Sequence, residues 1–117
     1  MASDARITQS QSYWRGQARP FAILDSSINS TMGTFVIQNM EANGPFTITS
    51  LVVGNGTPNT TSTSFSAGET KTMTVAGIGP YTVNTIYDLG VNITYNTPNG
   101  ITGTKQYSTK NLIGKYV

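Results

Sequence analysis

The sequence contains no cysteine and no histidine. Without cysteine there is neither a disulfide nor a thiolate metal site, the staples on which many small secreted domains depend. Without histidine the commonest general base and metal ligand is missing. Charge is scarce too: 10% of the 117 residues are Asp, Glu, Lys or Arg, against roughly 25% in ordinary soluble domains. Surface polarity must therefore come from hydroxyls and amides, which repel neighbours weakly and respond little to salt. The seven basic residues (Arg6, Arg15, Arg19, Lys71, Lys105, Lys110 and Lys115) are scattered and form no stripe, which argues against a nucleic-acid partner. No run of 18 apolar residues exists, so no segment reads as a membrane span, and Met1–Arg6 has no apolar signal core. Met1–Ser3 reads as an expression remnant. On that reading, membrane attachment would run only through an N-terminal helix that has been removed.

What is present is threonine, serine, asparagine and 12 glycines. Branched threonine fits a pleated strand, while Asn, Gly and Ser fit reverse turns. A chain of 117 residues suits one domain with one modest core. The clearest pattern lies between Tyr81 and Tyr107. Val91, Ile93 and Tyr95 alternate with Asn92, Thr94 and Asn96, the period of two of a half-buried strand. Thr97-Pro98-Asn99-Gly100 then reads as a hairpin turn, with Asn-Gly taking the positive-φ positions and Ile101–Tyr107 returning as partner strand.

Further strands are predicted at 20–25, 34–40, 46–53, 70–75 and around Tyr81–Thr85, with short ones at Phe65 and 111–117. Pro20 fits an edge position. In 46–53 the apolar parity changes between Ile48 and Leu51, which predicts a bulge near Ser50. Asp88-Leu89-Gly90 breaks the central pattern, as a bulge or a connection. The segment Gly54–Ser64 reads as a loop, the least ordered part of the chain. Residues 1–12 read as a flexible tail or the remnant of a helix end, and 13–117 as the folded domain. The expected architecture is an all-β, immunoglobulin-like β-sandwich of about seven or eight short antiparallel strands.

Chemistry is thinly represented. A nucleophile needs an activating base, and only a Ser-Lys pairing at Lys71 remains formally open. Of the carboxylates Asp4, Asp25, Glu41, Glu69 and Asp88, most fall in turns or at strand ends, where they read as turn formers. Asp88 with backbone carbonyls is the one weak candidate for calcium. Gly77-Ile78-Gly79-Pro80 reads as a turn and not as a phosphate loop. No catalytic residue, metal or cofactor is expected. Trp14, the only tryptophan, reads as a cover for one end of the sandwich, and alternatively as an aromatic contact for sugar. Asn29, Asn55, Asn59 and Asn92 each begin an Asn-x-Ser/Thr sequon, which serves only a chain exported from a glycosylating cell.

Three stretches resemble the soluble portion of archaeal type IV pilin-like surface proteins, which are made with a class III signal peptide. They are Tyr13–Ile23; the strand Thr34–Met40 with its Gly turn and the Ile-Thr strand to Val53; and Val91–Tyr107 with Leu112–Tyr116. The resemblance implies a non-catalytic extracellular sandwich anchored by an apolar helix. This sequence departs from the family pattern by lacking that helix. The expected function is a structural or adhesive cell-surface domain whose partners are protein subunits or cell-surface components. Trp14, Pro98, Asn99 and Gly100 are its candidate contacts, together with the loop Gly54–Ser64. The alternatives are a carbohydrate-binding accessory domain and a virion structural domain.

Overall fold

The structure is a computed structural model that describes residues 2–107 and 110–117, the first three of these by backbone alone. The order of elements is α1 (Ala2–Gly16), β1 (Phe21–Ile28), β2 (Met32–Asn39), β3 (Phe46–Val53), β4 (Thr63–Phe65), β5 (Thr70–Ala76), β6 (Ile86–Leu89), β7 (Val91–Asn96), β8 (Thr104–Tyr107) and β9 (Leu112–Lys115). One sheet has the order β1-β2-β5, a second β4-β3-β7-β8, and β6 pairs with β9 in a third. All pairings are antiparallel. The protein is an all-β sandwich with one helix.

The core is what alternation puts between the sheets. Phe21, Ile23, Ile28, Phe35, Ile37, Met73 and Val75 come from the first sheet, and Phe46, Ile48, Leu51, Val53, Phe65, Val91 and Ile93 from the second. Phe21 is its aromatic centre, edge-on to Phe46, Phe65 and Tyr95. Such contacts add about 0.5–1.5 kcal/mol each beyond area burial. The parity change in β3 is resolved as expected: the register against β7 shifts between Ile48 and Ser50, so Thr49 is the extra residue. β1 uses the same device at Leu24, which lets Ile23 and Ile28 both face inward despite opposite parity.

Nine strands are described where about seven or eight were expected; β6 and β7 are separated at Gly90 and pair in different sheets, β6 with β9 and β7 with β3 and β8. The break lies two residues beyond Asp88, which sits inside β6. Tyr81–Thr85 is not a strand. Asn84 takes φ +65°, and Thr82 O accepts from Thr85 N and Thr85 Oγ1, a local turn that competes with sheet pairing. The β7–β8 hairpin also differs from expectation. Its connection runs from Thr97 to Gly103, and only Gly100 of the Asn-Gly pair takes positive φ, at +92°. Thr97 closes the loop by accepting from Gly100 N and donating its own N–H to Ile101 O.

Residues 2–16 are helical, and Tyr13–Gly16 belong to that helix rather than to the sandwich. Ala, Arg and Gln favour helix. Ile7, Ser10, Trp14 and Ala18 recur at helical spacing, and this stripe faces the sheets: Ser10, Trp14 and Ala18 are buried and Ile7 is half-buried. The helix ends with Gln17 N and Ala18 N both on Tyr13 O, just ahead of Pro20.

Candidate functional site

Helix α1 lies across the seam between β1 and β9, two strand edges that are not paired with each other. An unpaired edge offers free backbone donors and acceptors, and here side chains take them up. Ser10 Oγ donates to Asn111 O at 3.0 Å and accepts from Ile113 N at 2.9 Å, so one hydroxyl occupies the edge of β9 as a strand would. Arg15 Nε donates to Leu24 O at 2.8 Å, the carbonyl at the bulge of β1. Further along β1, the Gln106 amide accepts from Phe21 N at 3.1 Å and donates to Phe21 O at 2.9 Å, which ties β8 to β1. At the far end Val117 N donates to Ile28 O. At the other end of α1 Arg6 forms an exposed ion pair with Asp88, whose second oxygen accepts from Asn111 Nδ2 at 2.8 Å.

Between helix and seam is a groove of about 310 Å³. Trp14, Ile23, Tyr87 and Leu112 line it on the apolar side, and Gln11, Arg15, Asp25 and Lys115 on the polar side. Trp14 is 1% exposed and edge-on to Tyr13, and its Nε1 has no hydrogen-bond partner among the described residues. Tyr87 is buried, with its hydroxyl 2.8 Å from Ser26 Oγ and its ring beside Tyr116. Burial pushes the Tyr87 phenol above its ordinary value of 10.0, against the opposing hydrogen bond from Ser26, and the charge of Asp25 adds to the rise.

The expected site residues do not converge. Trp14 is closed off in the seam, which corrects its placement as a surface contact and takes this residue out of any aromatic contact for sugar. Pro98 is half-buried, Asn99 and Gly100 are exposed, and this hairpin tip carries Ile101 at 63% exposure, with Tyr107, also 63% exposed, on β8. Asn29, Asn55 and Asn92 are exposed, whereas Asn59 is half-buried. Of the carboxylates, Asp25 stands on β1, Glu41 in the turn after β2, Glu69 accepts from Ser66 N, and Asp88 is held by Arg6 and Asn111. The side chain of Asp4 lies outside the described residues. No group of three or more Asp or Glu close enough to share a metal ion occurs among the described residues.

The loop after β3 is built into the fold rather than standing free. Leu51 and Asn59 exchange backbone hydrogen bonds, Thr57 N donates to Ala76 O, and Asn59 Nδ2 donates to Thr74 O at 2.8 Å. Gly56 is buried, and a Cβ there would stand 2.7 Å from Val75 Cγ1, so only glycine lets the backbone approach. Ser10 and Gln106 were missed in the sequence because each is a buried polar residue, and a polar side chain gives no apolar signal of its burial. The signal that finds Ser10 is the spacing Ile7, Ser10, Trp14, Ala18.

Comparison with family models, curated proteins and solved structures found no match.

Proposed function

We propose that the chain is the extracellular, immunoglobulin-like structural domain of a pilin-like surface protein, a stalked sandwich that works by packing and contact rather than by catalysis. The observation that carries this reading is the attachment of α1. A helix merely tethered to a domain needs no buried contacts. This one inserts Trp14 and Ser10 into the seam and holds backbone groups of both β1 and β9 through Ser10 and Arg15. Load applied along such a helix passes into two strand edges rather than into a flexible joint, which suits an anchored surface domain. The exposed hairpin tip, with Asn99, Gly100 and Ile101, then presents the contact surface to neighbouring subunits or cell-surface components. Amide and hydroxyl contacts there would be wet and hydrogen-bonded.

Immunogold labelling of intact and permeabilised source cells tests the reading, together with the N-terminal sequence of the native protein. Label on intact cells, and an apolar helical segment of about 20 residues continuing α1 towards its N-terminus, are the expected results. Label confined to permeabilised cells overturns it.

A further inference from the structure

We infer that Asn29 is a glycan attachment site, modified on the folded domain. The inference rests on the extracellular reading above and sharpens it. Four sequons share one sequence pattern, but the fold puts them in four different environments. Asn29 begins the turn between β1 and β2, closed by Asn29 N donating to Met32 O. Its Oδ1 accepts from Thr31 N at 2.9 Å, Thr31 Oγ1 at 3.0 Å and Met32 N at 2.8 Å. The hydroxyl of the sequon therefore already rests against the side chain it must assist. Three donors on Oδ1 fix the amide plane and draw density towards oxygen, which acidifies the Nδ2 protons. Nδ2 itself makes no hydrogen bond among the described residues, and Asn29 is exposed.

The other three lack this combination. Asn55 accepts from Gly79 N, and the N–H of its sequon partner Thr57 is taken by Ala76 O. Asn59 commits Nδ2 to Thr74 O, so a sugar there would have to fit where the loop is held against β5. Asn92 lies within β7, paired to Val52 on one side and Tyr107 on the other. In an extended strand residues i and i+2 stand about 7 Å apart, and Thr94 Oγ1 accepts from Lys105 Nζ instead.

The donor is a sugar carried on a lipid phosphate, and the catalyst a membrane glycosyltransferase. Nδ2 attacks the anomeric carbon, and a C–N bond forms as the C–O bond to phosphate breaks. The lipid phosphate leaves with the bonding pair, and the Nδ2 proton passes to a base of the transferase. Oδ1 keeps all three of its hydrogen bonds, so the turn survives modification.

Mass spectrometry of the native protein from its source cells decides the matter. Trypsin yields Gly16–Lys71 in one piece, because Arg19 precedes Pro20, and that piece holds three sequons. A second cut after Glu41 separates Asn29 from Asn55 and Asn59. Glycan mass is expected on the Asn29 piece. Asn29→Asp and Thr31→Ala, expressed in the same cells, lose it, and Thr31→Ser retains it. Asn29→Asp preserves the acceptors of the turn, so loss there does not reflect misfolding. Sugar on any of the other three with Asn29 bare overturns the inference and leaves the extracellular reading intact. Four bare sequons overturn it as well, and protease shaving of intact cells then judges the extracellular reading separately.

Discussion

The sandwich is closed along two seams, and they are closed differently. On one side the gap between β1 and β9 is bridged by α1, an element about a hundred residues away in sequence from the edge of β9 that it covers. On the other side the loop 54–62 runs from β3 across to β5 and joins them by Asn59, Thr57 and the Leu51–Asn59 pair. Lys71 Nζ donates to Ser64 O beside it, tying β5 to β4. The loop seam uses mostly backbone groups at moderate sequence separation. The helix seam uses a few side chains with no local substitute. A seam built on the side chains of one helix can be opened by single substitutions or by removing that helix, whereas a seam built mostly on backbone hydrogen bonds is less sensitive to substitution.

The largest expected effect follows directly. A chain beginning at Gln17 exposes the edges of β1 and β9 together and empties the space of Trp14. Loss of a buried aromatic alone costs about 3–5 kcal/mol, a large part of the 5–15 kcal/mol that typically holds a domain together. The truncated protein should show no cooperative thermal transition, or should self-associate through its open edges, which light scattering reads. Trp14→Phe should cost much less than Trp14→Ala, because it fills most of the volume and removes an N–H that has no partner among the described residues.

Single hydrogen-bonding residues allow a finer contrast. Ser10→Ala leaves Ile113 N and Asn111 O without their protein partner beneath the helix, which should cost about 1–2 kcal/mol in urea unfolding. Asn59→Ala leaves Thr74 O beside an exposed loop where water can replace the amide, so less than about 1 kcal/mol is expected. Equal losses would mean that the two seams are energetically alike.

Alkaline titration separates the seams by chemistry, since Tyr87 lines the groove on the helix side. Its folded pKa lies above the ordinary 10.0, so the folded state holds this proton more tightly than the unfolded chain. The stability that comes from this difference is complete below pH 10.0 and is lost as pH rises through the raised value. Tyr87→Phe should flatten the decline measured by chemical denaturation above that pH. It should not abolish it, because burial, and secondarily the charge of Glu41, raises Tyr95 in the same direction.

Much of the framework was legible because strands signal through alternation. β3 and β7 were expected within their observed bounds, and the parity change in β3 located its bulge to within one residue. The first strand is expected to end at Asp25, because Ser26 and Ser27 look like the start of a turn, yet β1 runs on to Ile28. Asp25, Ser26 and Ser27 form strand because β2 pairs with them residue by residue through Thr34, Phe35 and Val36. The helix was harder to see. Its buried stripe carries a serine where a core position is expected, and a serine opposite a strand edge is useful only because of what the fold brings there. Gln106 is hidden too: the apolar residues of its stretch, Ile101 and Tyr107, fall on the opposite parity, and its partner Phe21 is 85 residues away. Residues that close a seam by imitating backbone leave a polar mark at a buried position, and sequence periodicity treats that mark as noise.

The smallest expected effect is at the outer end of α1. Arg6 and Asp88 pair where both side chains are largely open to water, 50% and 40% exposed. Such pairs are worth about 0–1 kcal/mol and are screened by salt. Arg6→Ala should therefore shift the urea midpoint only slightly at low ionic strength, and not at all in molar salt. Asp88→Ala should cost more, because Asp88 also accepts from Asn111 Nδ2, and Asn111 supplies the carbonyl that receives Ser10. If the two substitutions proved equivalent, Asp88 would act only as a counter-charge to the helix. An excess for Asp88→Ala that persists in high salt would instead place it in the hydrogen-bonded chain Asp88–Asn111–Ser10, which fixes the helix to the edge of β9.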